Sequence, residues 1–249
     1  MTIDYPTEAV GLRQLWKEAF GDSDAFLDIF FNHGYSRRRC RCITDGGTVA
    51  AALYWFDCSF DGQKIAYLYA VATAVSHRGQ GLCRRLMADT HALLQAQGYA
   101  GAILVPGEDS LFRFYAAMGY QTIACVEQIR CTPAATAQPV AVLPADEYAA
   151  RRRQLLRSRG VVQEGENLAF LETQAEFWAG ADFILAARRE EGRLFGLEFL
   201  GDTKAAPGIV AALGCREGIF RVPGAGRFAM FRPLREDCVI PHYFGFAFD

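Results

Sequence analysis

The sequence predicts an α/β fold, a mixed sheet flanked by helices, with two related halves in one chain. Three observations carry that prediction. Segments with apolar residues at helical spacing alternate with short apolar and aromatic runs of strand character. The glycine-bearing stretch HRGQGLCRRLM, residues 77–87, stands where one such run gives way to a long amphipathic segment. Several short elements recur about 144 residues further along the chain.

The elements follow in order. TEAVGLRQLWKEAFG places Val10, Leu12, Leu15, Trp16 and Phe20 near helical spacing, and DSDAFLDIFFNHG begins with capping residues before Phe26, Ile29 and Phe30. RRCRCITDGG and TVAAALYWFDCSFDG read as strands, with GG and DG as hairpin turns. KIAYLYAVATAV is a third strand running into the glycine segment, and the helix after it stops near Gly98. YAGAILVPG is a short buried strand, EDSLFRFYAAMGY a short helix stopped by Gly119, and QTIACVEQIRC a further strand. The order ααβββαβαβ is complete by about Arg130.

CTPAATAQPVAVLPA is poor in charge and rich in Pro, Ala and Thr, and reads as a connector. Beyond it AFLETQAEF echoes AFLDIFF, and GLEFL echoes ALYWF after a turn at Gly192. TKAAPGIVAALG stands where the first half has its glycine loop, so the second half keeps shape cues and loses that loop. The expected domains are 1–132 and 143–249, joined by 133–142.

The 249 residues carry a net charge of −2, which disfavours general nucleic-acid binding or a polybasic membrane contact. The basic triplets at Arg37–Arg39 and Arg151–Arg153 read as solvated patches. No basic start precedes an apolar core at the N-terminus, and no apolar run approaches the ~20 residues of a membrane helix. The eight cysteines include no CxxC, and Cys40 and Cys42 fall on one face of a strand as small hydrophobes. With four scattered histidines, no metal site follows, and a reducing, cytoplasmic compartment fits.

The glycine segment has a physical purpose. A helix N-terminus offers unpaired N–H groups and the positive end of the helix dipole, and glycines before it let an anion approach the backbone. The segment lacks GK[ST] and GxGxxG, so it is neither a Walker loop nor a dinucleotide fingerprint.

Arg78-Gly79-Gln80-Gly81-Leu82-Cys83, after a strand and before a long helix, resembles the acetyl-CoA loop Q/R-x-x-G-x-G/A of the GCN5-related N-acetyltransferase (GNAT) superfamily. Cys83 departs from the pattern, where Gly or Ala is usual. SLFRFYAAMGY resembles the family's F-Y-x-x-x-G-F/Y element, and the resemblance covers residues about 5–130. It implies a mostly antiparallel GNAT-like sheet, followed here by a smaller, degenerate GNAT-like half. It implies acetyl-CoA as acetyl donor, with Val71, Ala72 and Thr73 offering backbone groups to the pantetheine arm from a strand freed by a bulge or splay. Arg78, Gly79, Gln80, Gly81, Leu82, Cys83 and Arg84 would receive the phosphates. Tyr115 holds the family's place for the general acid that protonates the departing thiolate.

The reaction so implied is direct N-acetylation of a primary amine, small or peptidic, with no metal, nucleic acid or membrane; a homodimer is compatible with it. A non-catalytic acyl-CoA-binding protein is the alternative, and a tandem aminoacyl transferase using charged tRNA is a third. The general base has no clear holder: Asp57, Glu108, Asp109 and the terminal Asp249 are candidates by position, and the strand 64–73 has no carboxylate. Cys83 invites an acyl-enzyme idea, but its place among anion-binding N–H groups argues for a structural role.

Overall fold

Strand and helix boundaries follow the local chemistry closely. The computed structural model describes residues 1–156 and 159–247. Two units divide these residues, and each gathers separate segments of chain.

The first unit comprises Met1–Leu104, Arg113–Gln121 and Phe231–Val239. It opens with β1 (Thr2–Asp4), a short edge strand absent from the sequence reading, followed by α1 (Val10–Phe20) and α2 (Asp24–Ile29). Gly21 in the left-handed region (φ 75°) ends α1, and the Ser23 side chain caps α2 by accepting from the Phe26 N–H at 3.2 Å. β2 (Cys40–Asp45), β3 (Thr48–Phe60) and β4 (Gln63–Thr73) form an antiparallel meander. Its turns are Gly46-Gly47 and Asp61-Gly62, all four with positive φ, as tight hairpin turns demand. α3 (Leu82–Ala96) crosses over to β5 (Gly101–Leu104), which pairs parallel with β4.

The two faces of this sheet are set by alternation. Arg41 on β2 lies opposite Leu53 and sends its guanidinium to Asp89 of α3 at 2.7 Å, so that face belongs to α3. Cys40, Tyr54 and Tyr69, paired across β2, β3 and β4, take the other face, where Trp16 of α1 packs 5.3 Å from the Tyr54 ring. Cys40 and Cys42 are buried there with unpaired thiols, as the alternation implies.

The second unit comprises Val105–Phe112, Thr122–Met230 and Ile240–Asp249. α4 (Asp109–Ala116) begins in it and ends in the first unit, and β6 (Gln121–Cys131) follows. Then come β7 (Ala141–Val142), α5 (Ala145–Leu156), α6 (Glu166–Glu172), β8 (Glu176–Ala179), β9 (Phe183–Glu190) and β10 (Arg193–Gly201). α7 (Ala206–Ala212), β11 (Glu217–Pro223) and β12 (Gly226–Pro233) complete the order. β7 to β10 pair antiparallel in sequence, while α7 crosses over so that β11 runs parallel to β10 and antiparallel to β6. β9 and β10 lie where the 144-residue echo places them, but the chain passes from β10 directly into α7 and omits one strand and the glycine loop. The connector is pinned rather than free: Ala134 and Gln138 donate backbone N–H groups to Pro207 and Gly208 of α7 at 2.9 Å each, and its last residues form β7.

One charge expectation is overturned. Arg152 is not solvated; it is buried against the equally buried Glu198, with Nε and Nη2 at 2.6 and 3.0 Å from its two oxygens. Helix geometry turns successive residues by about 100°, so Arg152 faces inward while Arg151 and Arg153 face solvent. Tyr148 donates to Glu198 at 3.0 Å, and Gln163, beside Arg152, holds the Phe246 carbonyl at 2.7 Å. No helix among the described residues is long and apolar enough to cross a membrane.

Candidate active site

The site is built at the C-terminal end of β4. Across β3 and β4, Ala52 faces Ala72 and Tyr54 faces Tyr69, so β4 carries one extra residue, a bulge at Ala70–Val71. Ala70 adopts φ +48°, rare for a residue with a Cβ, and strain of this kind collects at functional sites. On its other side, β4 pairs with β5 only over Ile65–Tyr67. Val71, Ala72 and Thr73 therefore lie beyond the end of that parallel ladder, Ala72 buried and its neighbours half-buried. A bulge, one of the two features that the reading of this strand called for, is present.

Immediately beyond, the chain turns into α3. Gly79 and Gly81 have φ of 75° and 74°, and a Cβ on either would meet nothing within 4 Å, so these glycines serve conformation and open space rather than packing. Gly81 is the N-cap of α3 and no side chain caps it, which leaves the first-turn N–H groups of Leu82, Cys83 and Arg84 without intrahelical acceptors. Arg78 donates from Nε to the Thr73 carbonyl at 3.2 Å, which ties the loop to the end of β4. Gln80 and Arg84 are exposed, Leu82 is buried as the helix anchor, and Cys83 is half-buried. Burial pushes the Cys83 thiol up to about 11 despite the neighbouring Arg84, so it remains a thiol at neutral pH and is poorly suited to covalent acyl transfer.

Tyr115 approaches from α4. The Arg84 guanidinium lies 5.3 Å from the Phe114 ring centroid, joining the start of α3 to this helix. Tyr115 is 6 % exposed, and its hydroxyl makes no hydrogen bond to any described residue. Burial, reinforced by the nearby Cys83 sulfur, raises its pKa well above the phenol range, so it stays protonated and has a proton to donate. The turn after it closes through Gly119 (φ 85°), with Met118 and Tyr120 N–H groups donating to the Tyr115 carbonyl at 2.9 and 3.2 Å.

Behind Tyr115 lies a pair the sequence reading missed. The Tyr120 ring stands edge-on to Tyr115 at 5.8 Å, and its hydroxyl meets His91 Nε2 of α3 at 2.7 Å. Burial, with Arg232 nearby, holds His91 down to about 4, so it is neutral. The available signal was His91 itself, a polar residue at the buried spacing of Leu86, Met87 and Leu94.

The candidate bases fare differently. Asp57 accepts from the Tyr99 hydroxyl and lies 3.9 Å from the Lys64 ammonium, opposite Ala66 and away from the bulge. Glu108 accepts from Ser110, and Asp109 pairs with Arg227 at 3.3 Å, both exposed. Asp249 lies outside the described residues. Among the described residues, no group of three His, Cys, Asp or Glu side chains is placed to hold a metal ion.

The chain is similar to known proteins. Residues 6–123 match the family model described as an acetyltransferase (GNAT) domain. Among solved structures, a GCN5-related N-acetyltransferase from Kribbella flavida is similar at 17 % identity and a TM-score of 0.71, over 93 % of this chain and 70 % of that one. One from Anabaena variabilis is similar at 14 % identity and 0.70, over 94 % and 73 %. Eis1 from Mycobacterium abscessus is similar at 12 % and 0.65, over 94 % and 74 %. At these identities the likeness concerns the fold. No curated protein matches the chain. Residues 6–123 therefore match a GNAT acetyltransferase domain, and the chain shares the fold of these solved N-acetyltransferases.

Proposed function

We propose that this protein transfers the acetyl group of acetyl-CoA directly to a primary amine. The observation that carries the reading is the adjacency of a bulged strand end, an uncapped helix start lined by two left-handed glycines, and a phenol whose hydroxyl bonds to no described residue. Together they supply hydrogen bonds for an amide-bearing arm, N–H groups for a pyrophosphate and a proton for a thiolate. Val71, Ala72 and Thr73 hold the arm, and residues 78–84 hold the phosphates. The neutral amine nitrogen forms the C–N bond to the thioester carbonyl as the C–S bond breaks, Tyr115 gives its proton to the departing sulfur, and the proton shed by the new amide nitrogen returns through water to the tyrosinate. Unpaired thiols throughout suit a reducing, cytoplasmic setting. Residues 143–249 form a degenerate relative of the first half, without a CoA loop, joined through 133–142.

The test is Tyr115→Phe, which keeps the ring and removes the proton donor. The expected result is a fall in kcat of roughly 10²–10⁴-fold, with acetyl-CoA affinity unchanged by calorimetry. Full activity would return Tyr115 to a packing role. Acetyl-CoA binding without turnover of any amine would favour the non-catalytic binding alternative.

A further inference from the structure

Two helices with different duties in the transfer reading are joined by one buried hydrogen bond. α3 begins at the uncapped N–H groups of Leu82, Cys83 and Arg84, and α4 carries Tyr115. Tyr120, just past the turn that ends α4, brings its hydroxyl to Nε2 of His91 on α3 at 2.7 Å. His91 lies about two helical turns below the start of α3. Both residues are buried, and their rings are 5.6 Å apart.

Tyr120 is tied to Tyr115 just as closely. Its ring stands edge-on to the Tyr115 ring at 5.8 Å, and its N–H donates to the Tyr115 carbonyl at 3.2 Å. Arg232 fixes the turn between them. It donates to the Met118 carbonyl, and its guanidinium lies 3.6 Å from where a Cβ on Gly119 would stand.

Packing alone does not call for a polar pair here. Two apolar side chains of similar shape would fill the same space at little cost, because a buried hydrogen bond gains little net stability over an apolar contact. What the pair adds is direction and length. A ring can slide against a ring, whereas a hydrogen bond in a low-dielectric interior holds one arrangement. The arrangement held is the placement of Tyr115 relative to the start of α3. Proton transfer depends on such placement, since a displacement of about 1 Å between reacting groups costs about 10²-fold in rate.

We infer that His91 and Tyr120 are positioning residues for acetyl transfer: their hydrogen bond holds Tyr115 at the distance from the phosphate-binding start of α3 at which its hydroxyl meets the CoA sulfur. This rests on the transfer reading. The pair exchanges no proton with the substrate. The proton that reaches sulfur leaves the Tyr115 oxygen, and His91 and Tyr120 act through the ring and backbone of Tyr115. Burial keeps His91 uncharged, so the link to Tyr120 persists across neutral pH.

The experiment is a double-mutant cycle on the full chain. Acetyl transfer from acetyl-CoA to spermidine, tyramine and a lysine-bearing peptide is followed by thiol release, and acetyl-CoA affinity by calorimetry. Tyr120→Phe keeps the ring and should lower kcat about tenfold, with acetyl-CoA affinity within about twofold of the parent. In the Tyr115→Phe background the same substitution should change kcat by less than about twofold, because no acid is left to position. His91→Leu should match Tyr120→Phe, and His91→Gln, whose amide can still bond the Tyr120 hydroxyl, should recover most of that loss. Melting temperatures ensure that each variant is compared while folded. The hold on Tyr115 is also read without turnover: in the CoA complex labelled with ring-¹³C tyrosine, the Tyr115 signals should broaden in Tyr120→Phe and His91→Leu. Parental kcat in folded Tyr120→Phe, an equal loss in both backgrounds, or a kcat loss that arrives with lost acetyl-CoA affinity would overturn the inference. Unchanged Tyr115 signals would overturn it even where none of the three amines is acetylated. Failure of the transfer reading shows separately, as full activity of Tyr115→Phe or absent acetyl-CoA binding.

Discussion

Replacing Gly81 tests the phosphate cradle most directly, because the structure separates two costs. Gly81 sits at φ +74°, so any Cβ carries a backbone penalty of about 1–2 kcal/mol in the left-handed region. Within the protein a Cβ there meets nothing within 4 Å, so packing adds no cost. Gly81→Val should therefore lower the melting temperature by only a few degrees, about 2–4 °C per kcal/mol in a chain of this size. Binding should suffer more. The branched side chain stands where an anion must approach the N–H groups of Leu82 and Cys83, and losing that approach should weaken acetyl-CoA by tenfold or more, about 1.4 kcal/mol. Gly81→Asn is the control, since Asn tolerates left-handed backbone: it should recover most of the stability but little of the binding. Gln80→Ala should leave affinity nearly intact, because the Gln80 side chain only reaches back to the Ser76 carbonyl at 3.4 Å. Thermal scans and calorimetry on the four proteins decide the matter. Wild-type affinity in Gly81→Val would refute a backbone cradle at this helix start.

Other consequences follow from the buried polar pairs. His91 is held down to about 4 against an ordinary 6.5, so between those values the unfolded state binds the extra proton. Stability from this group is therefore complete above pH 6.5 and is lost as pH falls toward 4, by about 3 kcal/mol; denaturant titrations of His91→Gln should show a flatter pH dependence in that window. Arg152→Met leaves Glu198 charged, buried and unpaired and should cost about 3–5 kcal/mol, whereas Arg152→Met with Glu198→Leu should restore most of it. A single variant as stable as the parent in urea would show that Glu198 finds another partner or takes up a proton.

The sequence alone determined the local elements and the glycine loop at the start of α3, because both are written in short-range chemistry. Helical spacing at Leu12, Leu15 and Trp16, the GG and DG turns, and RGQG before an amphipathic helix each need only a few neighbouring residues to be read. The first half's order therefore matches, apart from β1, whose three residues are too few to show a period. Tertiary structure decided what depends on pairing across the chain. The bulge at Ala70–Val71 exists only as a mismatch against Ala52 and Tyr54, and YAVAT gives no local sign of it. Arg152 reads as one of three surface arginines until Glu198, 46 residues away, arrives opposite it. His91 becomes a neutral partner of Tyr120 only once α3 and the turn after α4 meet. Charge and hydrogen-bond satisfaction are properties of the assembled environment, and no window of sequence contains both partners.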